Sequence, residues 1–226
     1  MKVTFNPQYS TPQIQRTNYS PQSRNSAPMQ CDSVSFGHDM EIKAFNALKK
    51  EVAELTAKQD FDGVLKKFGI EISWENGKKV LSHYTKPKNC TFAELGVKDN
   101  DLLKDVVEIK KTLFLSDSKD IILPALKKAE NIDIYYTKNA NLSAVAEAEN
   151  VDVGYSENIT LSALKEAVDI DLCNAQNVDM SALRKAYYID LRNSSNVNLS
   201  ALEEVDQLIG LGSAINPKLP DKFLKK

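Results

Sequence analysis

Three cysteines, two histidines, one tryptophan and eight glycines in 226 residues leave few of the groups that catalysis and metal binding use most. Cys31, Cys90 and Cys173 are odd in number and far apart, so they make no disulfide framework. No two of them stand at metal-ligand spacing, and with only His38 and His83 beside them no zinc site is expected. Scarce glycine leaves no phosphate-cradling loop, and no His/Glu metal motif occurs. Cys90 and His83 lack the Asn or Asp surroundings of a thiol catalyst. The expectation is a protein that is not an enzyme, with no cofactor and no metal.

Long apolar runs are missing too. No stretch approaches the roughly 18 residues of a membrane helix, and the N-terminus has no apolar core of a Sec signal. No membrane association is expected. The default reading is a cytoplasmic protein. Export by a non-Sec route is the alternative, because residues 1–36, rich in Ser, Asn, Gln and Pro, have the composition of such leaders.

The formal net charge of -2 gives no general pull toward nucleic acid. Its distribution is uneven. Residues 1–36 hold three Lys/Arg against one acid, and residues 123–216 hold seven against 14. The last ten residues hold four lysines and one Asp. An acidic body lies between basic ends.

Residues 1–36 show neither a period of 2 nor one of 3.6, and read as a disordered leader. Residues 37–100 read as a small α+β cap. Met40, Phe45, Leu48, Val52 and Leu55 recur at helical spacing. Asp60 can cap a second helix that Gly69 ends. Ile70–Trp74 and Val80–Tyr84 flank Asn76-Gly77 as a hairpin, with Trp74 read as core. Thr91 and Glu94 have capping-box spacing, with a short helix after them.

Residues 101–217 are repetitive. Leu-Ser-Ala occurs at Leu142, Leu161 and Leu199, with Met-Ser-Ala at Met180, and the interval is always nineteen positions. Such self-similarity predicts stacked coils. In each coil an apolar-x-apolar run follows, as in Ile170-Asp171-Leu172. Its apolar members point inward and Asp133, Asp152, Asp171 and Asp190 point out. Leu161, Leu164 and Val168 share one helical stripe, with Ser162 at the N-cap place. Asn139, Asn158, Asn177, Asn196 and, after one inserted residue, Asn216 form a column assigned to structure. Residues 218–226 read as a basic tail.

The Leu-x-x-Leu segment, the apolar-x-apolar strand and the Asn column resemble the leucine-rich repeat family over about residues 104–216. Two features depart from it. The family's Asn place holds Thr137, Ser156, Ala175 and Ser194, and the period is a residue shorter than the family's usual range. The resemblance implies an α/β solenoid of strand–helix coils on the N-terminal cap. A β-solenoid without helices is the alternative. The family binds proteins on the outward strand residues, which implies a protein-binding module whose partner has a basic surface. The outward residues concerned are Asp133, Asp152, Asp171 and Asp190, with Tyr135, Tyr155, Tyr188 and Arg192 beside them. The middle outward column is laid out to end at Gly210. Oligomeric state is left open.

Overall fold

A computed structural model describes residues 39–87 and 90–224. The expected leader, residues 1–36, lies outside the described residues. Beyond residue 100 the molecule is a β-solenoid. Six strands stack in parallel in one sheet: β3 (Val106–Phe114), β5 (Lys128–Asp133), β7 (Asn150–Asp152), β9 (Glu166–Asp171), β11 (Lys185–Asp190) and β12 (Glu204–Ile209). Between them β4 (Lys119–Ile122), β6 (Lys138–Asn141), β8 (Glu157–Thr160) and β10 (Gln176–Asp179) form a second parallel sheet. Register is one repeat per coil, as Ile170 lies beside Val151 on one side and Ile189 on the other.

Residues before the coils extend the larger sheet. The helices α1 (Asp39–Ala57) and α2 (Phe61–Lys67) precede a hairpin of β1 (Ile72–Glu75) and β2 (Lys78–Leu81). Asn76 and Gly77 turn it with positive φ, 53° and 74°, as a two-residue hairpin turn demands. Strand β2 then pairs in parallel with β3, so the hairpin closes the first coil. Asp60 accepts the Gly63 amide at 2.8 Å and so caps α2. Glu94 and Thr91 exchange the two capping-box bonds, yet the residues after them form a turn rather than a helix. The helix α3 (Asp99–Leu103) follows, and α4 (Asp221–Leu224) ends the described chain. Trp74 is 64% exposed rather than core, because β1 is the outermost strand of its sheet.

The helix expected over Leu161–Ala167 is a turn followed by strand β9. Leu161 and Leu164 are fully buried, as the stripe required, but Val168 is 47% exposed and Ala167 points inward in its place. A step of three residues between inward positions is the signature of a solenoid corner as well as of a helix. Hydrogen bonding separates the two. The Leu161 amide donates to Asp179 O at 2.8 Å, one coil away, and the Val168 amide to Glu149 O at 2.7 Å. Neighbouring coils thus take the backbone groups that a helix would bond internally. A segment this short would also be too brief to hold a helix by itself.

The inward side chains form one continuous core from Val52 to Leu219. Buried hydroxyls line one corner. Thr137 Oγ1 donates to Leu115 O at 2.8 Å, and Ser156 Oγ to Ile134 O at 2.5 Å. These are the places where the family consensus has Asn. Here the asparagines stand two residues on, at a corner whose φ is 51–59° from Asn139 to Asn216. Asparagine tolerates this left-handed conformation better than most residues. Its side chains also form a ladder: Asn158 Nδ2 donates to Asn139 Oδ1 and Asn177 Nδ2 to Asn158 Oδ1, both at 2.9 Å. The column is structural.

Candidate functional site: an aspartate column and a tyrosine ridge

Strand register puts Phe114, Asp133, Asp152, Asp171 and Asp190 in one outward column. Ile209, not Gly210, continues it. The inserted residue therefore falls after β12. Gly210 turns there with φ +78°, and a Cβ on it would stand 2.3 Å from Arg192 N. Only glycine lets the two backbones approach this closely.

The aspartates have structural work as well as an outward aspect. Asp152 Oδ1 accepts the Gly154 amide at 2.9 Å, and Asp171 Oδ1 the Cys173 amide at 2.7 Å. Asp190 Oδ1 accepts the Arg192 amide at 2.9 Å, and Asp133 accepts from the Ser116 hydroxyl and the Tyr135 amide. Each carboxylate thereby ties down the turn that follows its strand. Burial pushes the Asp152 and Asp171 carboxyls above the ordinary value of 3.8, and neighbouring aspartates push the same way. The backbone amides they accept pull partly back, and at Asp171 the Arg192 guanidinium of the next coil does so too.

At one end the column is neutralised within the chain. Asp190, 2% exposed, holds the Arg192 guanidinium through Nε at 2.8 Å and Nη2 at 2.6 Å. Tyr188 stands on the same strand β11, opposite Asp169. Asp171, Cys173 and Asp190 bring three potential metal-ligand atoms within 4.8 Å of one another. Asp190 is already occupied by Arg192, and burial and both aspartates raise the Cys173 pKa, which disfavours the thiolate.

Toward the cap the surface is aromatic. Tyr135, Tyr136 and Tyr155 form a three-ring ridge, with centroids 4.5 Å apart for the first pair, 5.2 Å for Tyr135–Tyr155 and 5.1 Å for Tyr136–Tyr155. The Tyr135 ring lies across Gly154, where an added Cβ would come within 2.8 Å of it. Burial and the Tyr136 hydroxyl raise the Tyr135 pKa. Tyr136 is 52% exposed and Tyr155 47%. Both stand at a second left-handed corner, with φ of 56° and 57°. Other coils fill that corner with Asp117, Asn174 and Asn193. A large aromatic there is a backbone outlier.

The eight residues selected from sequence thus fall into two groups. Asp133, Asp152, Tyr135 and Tyr155 gather on the ridge. Asp190, Arg192 and Tyr188 lie toward the other end, with Asp171 between. Three strand spacings, about 14 Å, separate Asp133 from Asp190. Tyr136 is a ridge residue that the outward-strand columns missed. Its signal was present, because Tyr136 stands one repeat before Tyr155.

Comparison with protein-family models, with curated proteins and with solved structures returned no match. No helix among the described residues is long and apolar enough to cross a membrane.

Proposed function

We propose that this protein is a non-enzymatic binding module that takes a protein partner with a basic surface on the outer face of its larger sheet. The observation that carries this reading is the ridge of Tyr135, Tyr136 and Tyr155, with the Tyr136 and Tyr155 rings exposed and the half-buried Tyr135 beside Asp152. Tyrosine is enriched in protein interfaces because it offers a rigid apolar surface with a polar tip. Two of these rings occupy left-handed corners that Asp117, Asn174 and Asn193 fill elsewhere in the stack, so the aromatic surface is particular to these two coils. Half-buried aspartates with raised pKa values favour a neighbouring cation. The leucine-rich repeat family, which the chain resembles in its apolar spacing, uses outward strand residues in the same way.

A photoreactive residue in place of Tyr136, with Gln176 on the opposite sheet as control, tests the reading. Protein adducts should form from position 136, fall in Asp152→Lys and Asp171→Lys, and be few from position 176. Equal adducts from both positions, or adducts indifferent to charge reversal in a folded variant, would remove the proposal.

A further inference from the structure

The aspartate column contains its own worked case of ligand binding. Asp190 receives a guanidinium as a two-nitrogen fork while its Oδ1 also accepts the backbone amide two residues on. Asp152 and Asp171 repeat that carboxylate position and that backbone bond in the two preceding coils. Where Arg192 would stand, however, they are followed by Gly154 and Cys173. Among the described residues no salt bridge reaches Asp133, Asp152 or Asp171. Asp152 and Asp171 accept only backbone amides, at Oδ1, so Oδ2 of each is left to an outside donor.

We infer that Asp152 and Asp171 take the guanidinium of an arginine carried by an exposed peptide of a partner protein, with the Tyr135–Tyr136–Tyr155 ridge receiving the plane of that group. The inference rests on the binding-module reading and names its recognised group. A guanidinium meets both halves of the site: its fork matches a carboxylate, and its flat face stacks on an aromatic ring. A lysine ammonium offers a single point charge and no plane. Gly154 contributes by omission, because a side chain there would collide with the Tyr135 ring that walls this place. Adjacent strands are about 4.8 Å apart, so Asp152 and Asp171 can share one guanidinium or hold two in sequence.

The test uses the full-length chain labelled with ¹⁵N. The probes are acetyl-Gly-Arg-Gly-amide and acetyl-Gly-Lys-Gly-amide, titrated to millimolar concentration. The reporters are the Gly154 and Cys173 amides, which donate to the two carboxylates. The arginine probe should move both signals saturably, and the lysine probe should bind about tenfold more weakly. Asp152→Asn keeps an acceptor for the Gly154 amide and should weaken the arginine probe by about tenfold. Equal binding of the two probes would overturn the guanidinium assignment and leave the basic-partner reading standing. No saturable shift would overturn it as well. Binding seen only after Arg16→Gln and Arg24→Gln would give the site to the chain's own N-terminal segment and overturn the assignment to a partner. Cross-links equal at positions 136 and 176, or indifferent to charge reversal, are a separate result, and only they remove the parent reading.

Discussion

Tyr136 and Tyr155 stand one repeat apart, occupy the same left-handed corner of successive coils and bring their rings to 5.1 Å. Left-handed backbone costs each of the two residues about 1–2 kcal/mol, and each of the three ring contacts of the ridge returns about 0.5–1.5 kcal/mol. The two nearly cancel. Tyr136→Asn with Tyr155→Asn should therefore change unfolding free energy by less than about 1.5 kcal/mol in a urea melt. Partner cross-linking from a neighbouring position should fall sharply in the same protein. A loss above about 3 kcal/mol would make the rings part of the fold's support instead.

The aspartate column predicts a pH signature. Asp152 and Asp171 have raised pKa values in the folded state, so folding favours their protonated forms. The stability they contribute is present below the ordinary carboxylate value of 3.8 and is lost as pH rises through their raised values. Asp152→Asn and Asp171→Asn remove that loss and keep an acceptor for the turn amide. Denaturation at pH 3.5 and pH 7 should show each variant gaining on the wild type as pH rises. A gain in the opposite direction would mean that the carboxylate charges are better compensated than the column geometry implies.

The asparagine ladder should be sensitive to one deletion. Asn158 donates to Asn139, accepts from Asn177 and holds φ at 59°. Asn158→Ala loses both bonds and leaves a β-carbon in a left-handed corner, at a cost of about 2–3 kcal/mol. Asn158→Gly keeps the conformation and should cost visibly less. Equal losses would show that the side-chain bonds alone decide.

Leu164 and Val168 separate the two ways of reading one spacing. Leu164 is fully buried, and Leu164→Ala should cost about 2–5 kcal/mol. Val168 is 47% exposed, and Val168→Ala should stay within about 0.5 kcal/mol. A helical stripe would make both substitutions expensive.

That pair also marks the limit of what the sequence displayed. The constant period, the inward pairs such as Ile170 and Leu172, and the outward aspartates were all legible, because alternation across a strand is a local property. The state of Leu161–Ala167 was not. Its three-residue steps fit a helix and a corner equally, and the partners of its backbone groups sit in the neighbouring coils. The aspartates' second task was hidden for a related reason, since an Asp two residues before a turn amide looks the same as a solvated Asp. Tyr136 was missed because the columns were drawn through strands, whereas this ring is presented by a corner.

Contacts between coils join positions one repeat apart almost throughout, from the Asn ladder to the Lys128–Glu147 and Lys185–Glu204 ion pairs. Such a molecule is measured in whole units. Excision of Leu161–Asp179 would leave the inward residues, the asparagine ladder and the aspartate column facing the neighbour type they already have, and the stack would be one storey lower. An excision longer or shorter by a single residue would carry the asparagines off their corners and turn aspartates toward the oil. Among the described residues of the coils, odd residues fall between Ile109 and Thr112, where β3 bulges against β5, and between Ile209 and Ile215, where a glycine absorbs the extra length. Length in this protein is therefore an adjustable dimension with a fixed step, and the reach of its binding face can change by that step without redesign of the interior.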